Sequence, residues 1–276
     1  AVIYGGNILS YKQLDELSDN IAAQLSNNFS LNINTEESVA VYIKRSENLP
    51  LAALSIIKAG GVYMPINPEF PISRIEYILK DSNCRIILTD KYFRDKLNVI
   101  KNAEISDIDE LKKNSCKFEY IRRNPDIGAY IIYTSGSTGE PKGILCTQKC
   151  LVNLILWQKQ AEIIGEGLKT IQYAALNFDV SVQEIFFSIC SSGILYMIDE
   201  DLRYDMKNLH KFISENNIEL ITMPFSALNL FFKSADNVGN LNSLKHIITS
   251  GEQLVINEKI RNFLKIRGDI KLHNQY

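Results

Sequence analysis

The order of apolar runs and turn residues predicts an α/β fold of mostly parallel strands covered by helices. Three observations carry that prediction. Between residues 37 and 90, strand-like apolar runs alternate with stretches of helical period, the rhythm of a parallel sheet with both faces covered. The 276 residues are 46% hydrophobic and 22% charged, which supplies a core for one large domain or two lobes. An apolar run at 127–134 also leads straight into the stretch YTSGSTGEPKGI at 133–144, with three glycines and five hydroxyl side chains.

Taken in order, AVIYGGNILSY (1–11) reads as a strand pair turned by Gly5-Gly6-Asn7. Ser10 precedes a helix over 11–25, where Leu14, Leu17, Ile21, Ala22 and Leu25 keep a helical period. ESVAVYI (37–43) is a buried strand, and ENLPLAALSIIKAG (47–60) is a helix ending at Gly60-Gly61. VYMPI (62–66) is the next strand, and its Pro65 marks an edge or a strand end. A helix over 73–83 and a strand over 84–90 follow. Residues 91–126 carry mixed charge and no strong period, so they read as a surface connection with a helix near 107–113. Further strands are expected at 127–134, 170–175, 193–198, 218–223 and 245–249. Further helices are expected at 147–162, 180–190, 206–217, 225–234 and 256–267.

The formal charge of −2, with acids and bases interleaved, disfavours a nucleic-acid partner but leaves room for a small anionic ligand. Cysteines at 84, 116, 146, 150 and 190 form no CxxC pair, and none of the three histidines lies near one in sequence. That pattern disfavours a zinc site and fits small core residues in a reducing cytosol. No signal peptide or uncharged apolar run of membrane-spanning length is present, so a soluble, cytoplasmic protein is expected.

The stretch at 133–144 reads as strand, glycine-rich turn, then helix. Glycines let backbone amides converge on an anion, hydroxyls add donors, and Lys142 adds a mobile positive charge. It is not the P-loop pattern, because the lysine follows Pro141 and no Ser or Thr comes after it. A flexible linker is the bland alternative, but a linker has no reason to sit directly behind an apolar strand. Phosphate is the expected ligand.

YTSGSTGEPKGI resembles the signature loop of adenylate-forming enzymes: acyl-CoA synthetases, luciferases and the adenylation domains of nonribosomal peptide synthetases. Other motifs of the peptide-synthetase branch stand in order around it: LSYKQL (9–14), IIKAGGVYMPINPEFPISRIEYILKDS (56–82), NFDVSVQEIF (177–186), LKHIITSGEQL (244–254) and NQY (274–276). The resemblance covers essentially the whole chain. It implies two similar β-α lobes, one at about 36–169 and the other joining 1–35 to 170–276. It also implies that 1–276 is an incomplete AMP-binding domain lacking its small C-terminal lobe, nearly inactive by itself.

By the same resemblance, Thr134, Ser135, Gly136, Ser137, Thr138, Gly139 and Lys142 serve the ATP phosphates, with Thr134, Thr138 and Lys142 closest to catalysis. Gly251, Asn274 and Tyr276 line the adenine site. Asp179 pairs with the α-ammonium of an amino acid. An acid beside Phe178 and Val180 is costly to bury without a cation, which favours that role over a plain helix N-cap. Val180, Gln183, Ser226, Ile248, Ser250 and Gln275, beside Phe178, match the wall that chooses the substrate side chain; a polar amino acid and proline both fit. The implied reaction joins an amino acid to ATP, giving aminoacyl-AMP and pyrophosphate by positioning and charge neutralisation. Magnesium is the implied metal, with its glutamate ligand expected beyond Tyr276. Implied partners are the amino acid, a carrier protein bearing phosphopantetheine and a condensation domain. The alternatives are an acyl- or aryl-CoA ligase of the same superfamily and an inactive nucleotide-binding remnant.

Overall fold

A computed structural model describes residues 1–29, 31, 36–114, 116–120, 124–135, 140–160, 162–234 and 241–275. The chain divides into two compact units. One gathers Ala1–Ile8, Trp157–Ala174 and Val180–Tyr276; the other gathers Leu9–Leu156 and Ala175–Asp179.

β1 (Val2–Tyr4) and β2 (Asn7–Leu9) meet at Gly5 and Gly6. Their φ values of 53° and 89° give the left-handed turn that suits strand twist. α1 (Tyr11–Phe29) opens on a reciprocal cap: the Gln13 N–H donates to Ser10 Oγ at 3.2 Å, and the Ser10 N–H donates to Gln13 Oε1 at 2.9 Å. β3 (Ser38–Tyr42) is buried throughout. α2 (Asn48–Ala59) ends at Gly60 with φ 100°, the usual left-handed helix stop. β4 (Val62–Pro65), α3 (Ile72–Asp81) and β5 (Ile86–Thr89) continue the alternation. Beyond them, α4 (Lys91–Arg94) leads to β6 (Glu104–Asp107) and α5 (Ile108–Leu111), so 91–111 carries more regular structure than its composition suggests.

β7 (Gly128–Ser135) and β8 (Pro141–Thr147) form an antiparallel pair with Thr134 opposite Lys142 and Ser135 opposite Pro141. α6 (Gln148–Gln158) begins only after β8. The described strands on either side of 136–139 are thus antiparallel partners, and the expected strand-turn-helix arrangement is corrected. β8 escaped the sequence pattern because it is an edge strand with most of its side chains exposed. This sheet runs β6-β5-β3-β4-β7-β8. β4 lies inside it, so Pro65 marks a strand end and not an edge. A core of Tyr42, Met64, Ile75, Ile87, Phe93 and Tyr133 packs in this unit.

The other sheet takes β1 and β2 together with β9 (Lys169–Gln172), β10 (Ile194–Met197), β11 (Leu220–Met223), β12 (His246–Thr249) and β13 (Lys271–Asn274). Its order among the described residues is β13-β12-β11-β9-β10-β1-β2. The pairings from β13 through to β1 are parallel, as expected for strands joined through helices. Those helices are α7 (Asp179–Cys190), α8 (Glu200–Tyr204), α9 (Met206–Asn216), α10 (Phe225–Lys233) and α11 (Glu258–Ile266). Their apolar faces meet the sheet around Leu209, Phe231, Ile247 and Phe263. The expected lobe boundaries shift at two places. α1 packs on α2 and joins its unit, Trp157–Ala174 begins the β9 unit, and Ala175–Asp179 returns to the α1 unit.

Candidate functional site

The stems of the glycine-rich stretch are braced from α3. The Tyr77 hydroxyl donates to the Pro141 carbonyl at 3.1 Å, and the Tyr133 hydroxyl donates to Asp81 Oδ2 at 2.7 Å. Burial, and then the Asp81 carboxylate, push the Tyr133 phenol well above its ordinary value, so it stays a neutral donor. At Gly143 any Cβ would come within 2.9 Å of the Tyr133 ring, so glycine lets β8 lie flat on that tyrosine. Thr134 and Lys142 are exposed and face each other in register at the mouth of the hairpin. Gly136, Ser137, Thr138, Gly139 and Tyr276 lie outside the described residues.

Asp179 is the first residue of α7, where the helix dipole favours a carboxylate. It is exposed, and Phe178 is 58% exposed. The expectation of an acid hemmed in by apolar neighbours is therefore corrected: the chain turns at 176–178, and Phe178 points away from the core. Asp179 sits near Tyr130, whose phenol is pushed up by burial, by Cys146 and then by the Asp179 charge. The turn before α7 is tied down by Glu184, a buried carboxylate. It accepts from Gln172 Nε2 at 2.8 Å, the Tyr173 N–H at 3.2 Å and the Ala174 N–H at 3.0 Å.

In the β9 unit, several expected residues converge at the ends of β12 and β13. Thr249 pairs with Asn274, and the Gln275 N–H donates to the Thr249 carbonyl at 2.9 Å. Ser250 and Gly251 follow β12 directly; Gly251 has φ 78° with open space around it, so its backbone conformation and not crowding selects glycine. Ser226 is exposed and engaged elsewhere: its N–H and hydroxyl donate to Glu252 at 2.6 and 2.9 Å, closing the N-terminus of α10.

Gln183, on α7, is half-buried and donates from Nε2 to Gln275 Oε1 at 2.8 Å. Gln158, at the end of α6, donates to the same oxygen at 3.3 Å. Behind these amides lies a cavity of about 10 Å³ whose wall includes Gln158, Gln183, Thr222 and Ile248. Two of the expected wall residues, Gln183 and Ile248, thus share one cavity, while Val180 and Ser226 are not part of it.

The profile of the AMP-binding enzymes matches residues 1–276. The chain belongs to the AMP-binding enzyme family. Gramicidin S synthase 2 of Brevibacillus brevis is 33% identical over 278 residues, taking in 100% of this chain and 6% of that protein. Tyrocidine synthase 2 of Brevibacillus parabrevis is 34% identical over 280 residues, taking in 100% of this chain and 8% of that protein. The chain therefore spans less than a tenth of the length of these relatives. Among solved structures, the nonribosomal peptide synthetase FmoA3 in its alpha-methyl-L-serine-AMP bound form has a TM-score of 0.88 at 20% identity. That match covers 99% of this chain and 30% of that chain. The N-terminal subdomain of Klebsiella oxytoca NpsA in complex with 3-hydroxyanthranilyl-AMSN has a TM-score of 0.82 at 24% identity, covering 99% of this chain and 67% of that chain. At these identities the structural likeness bears on the fold alone, and the fold is the expected α/β one.

Two residues of this AMP-binding enzyme escaped the sequence reading. Glu184 stands inside NFDVSVQEIF and was not singled out by the motif, yet it is 5% exposed. Gln158 carried no signal, because its partner Gln275 lies 117 residues away. Among the described residues no helix is long and apolar enough to cross a membrane.

Proposed function

We propose that this AMP-binding enzyme activates an amino acid with ATP. The amino acid's carboxylate oxygen attacks the α-phosphorus, the bond to the bridging oxygen breaks, and aminoacyl-AMP and pyrophosphate result. In the full-length protein the aminoacyl group then passes to the phosphopantetheine thiol of a carrier protein, and a condensation domain uses the thioester. The observation that carries this reading is the similarity, across the entire chain, to gramicidin S synthase 2 and tyrocidine synthase 2. The scattered free cysteines support a cytoplasmic setting.

Each group has a task. Thr134 and Lys142, with Ser135 and the residues 136–139 between them, bind the phosphates, and Lys142 offsets charge on the departing pyrophosphate. Gly251, Asn274 and Tyr276 hold the adenine. Asp179 receives the α-ammonium: it is exposed, and an exposed carboxylate is available to a ligand cation without a prior burial cost. Val180, Gln183, Ile248, Ser250 and Gln275 meet the side chain. Among the described residues no group of three His, Cys, Asp or Glu could hold a metal ion; magnesium needs no such group, being commonly held by one or two carboxylates with substrate phosphates and water.

Pyrophosphate exchange on the full-length protein tests the reading, over a panel of amino acids with fatty and aryl acids alongside. Exchange with one or a few amino acids, lost in Asp179→Ala, is expected. Exchange only with a fatty or aryl acid, or amino-acid exchange untouched by Asp179→Ala, would sink it.

A further inference from the structure

Gln158 is 1% exposed, yet its Oε1 has no hydrogen-bond partner among the described residues; the same holds for Nε2 of Gln275. A buried acceptor and a buried donor are thus left over in one three-glutamine cluster, where Gln275 Oε1 already accepts from both Gln158 and Gln183. Native interiors rarely leave such groups unmatched, because each costs as much as a lost hydrogen bond. Gln158 and Gln183, both bonded to Gln275, line a cavity of about 10 Å³, which holds no more than about one water molecule. Any larger occupant must take over the Gln183–Gln275 contact. Glu184, also in the wall, is already engaged by three donors, so no free charge waits there for an acidic or basic side chain.

Building on the amino-acid reading above, we infer that Gln158 is a specificity-determining residue. With Gln183 and Gln275 it makes a neutral hydrogen-bonding floor that selects an amino acid whose side chain both donates and accepts, an amide or a hydroxyl. An aliphatic side chain or proline would seal Gln158 Oε1 and Gln275 Nε2 away from water without partners. Sites built to hydrogen-bond a substrate reject analogues that lack the group far more strongly than apolar pockets discriminate by size.

The test is kcat/KM for pyrophosphate exchange on the full-length protein. Asparagine, glutamine, serine and threonine are compared with valine, leucine, proline, aspartate and lysine. Wild type should prefer one of the first four over every aliphatic by about 10²-fold or more. Gln158→Met, which keeps the length and removes the hydrogen bonds, should narrow that ratio about tenfold or more, and Gln158→Leu should do the same. A wild-type preference for valine, leucine, proline, aspartate or lysine overturns the inference, even if neither variant folds. So does a variant that lowers exchange equally for every amino acid, which would mark a structural role. Exchange with fatty or aryl acids only would be a separate outcome: it removes the amino-acid reading itself, and this inference with it.

Discussion

Replacing Glu184 with alanine removes the acceptor that holds the turn ahead of α7. Three donors lose it: the Gln172 amide at 2.8 Å, the Tyr173 N–H at 3.2 Å and the Ala174 N–H at 3.0 Å. Each buried donor deprived of its acceptor costs roughly 1–3 kcal/mol. Water entering the vacated space returns part of that, so a net loss of roughly 3–6 kcal/mol is expected. Against a typical stability of about 5–15 kcal/mol this is a large fraction. It corresponds to a melting temperature lower by roughly 6–20 °C for a chain of this size. Glu184→Gln keeps one oxygen and should cost about half as much. Circular-dichroism melting of the three proteins measures the stability. Pyrophosphate exchange on full-length variants measures the consequence for Asp179, which the turn delivers: the amino-acid KM should rise about tenfold or more while the KM for ATP changes little. An alanine variant within about 1 kcal/mol of wild type, or a glutamine variant as damaged as alanine, would refute the idea that this carboxylate pins the turn.

Other expectations follow from the same geometry. Burial, then the charges of His273, Lys271 and Lys245, hold the His246 imidazole at about 4 instead of 6.5, and burial lowers His273 too. The folded state then binds fewer protons than the unfolded one, so this stability is complete above about pH 6.5 and is lost as pH falls toward 4. After solvent screening the loss is on the order of 1–2 kcal/mol; urea midpoints at pH 7 and 4.5 should differ less in His246→Gln. Gly193→Ala puts a Cβ 2.6 Å from the Leu168 carbonyl oxygen, so the strand ends must part, at about 2–3 kcal/mol in urea unfolding. Tyr77→Phe loses the bond to the Pro141 carbonyl and should lower stability only slightly, because water can replace that bond. It should raise the KM for ATP more than that for the amino acid, and equal effects on both would argue against a brace on the hairpin.

Segments enclosed on both faces were legible from sequence. β3, α2, β5, β9, β11 and β12 carry unbroken apolar runs or a clean helical period because both sides meet protein. The unexpected strands β6, β8 and β13 lie at sheet edges. There one face meets solvent, and exposed positions such as Ile144 and Leu145 (51% and 47%) blur the alternation. The site divides in the same way. Its backbone-led parts, such as the Gly251 turn, follow from local motif chemistry, whereas the antiparallel stem β8 did not. Parts made by distant side chains, such as Gln158 against Gln275 and Glu184 against the β9 end, depend on packing that no short window of sequence records. Asp179 shows both sides: its presence was readable, but its exposure was not, because that depends on how the 176–178 turn aims Phe178.

The threading of the chain through its two units also sets an order of events during synthesis. Every strand of the six-stranded sheet lies between Glu36 and Gln148, so that unit can close as soon as α6 has left the ribosome. The seven-stranded sheet cannot: Val2 precedes all of that unit in the chain, yet has its parallel neighbour far beyond it at Leu195. The first strand must therefore wait, unpaired on one side, while most of the other unit is made and folded. A pairing so remote in sequence is slow to form, and an unmatched strand edge is what aggregation exploits in the interim. Expression yield in the cell should accordingly be more sensitive to changes in β1 than its three residues would suggest.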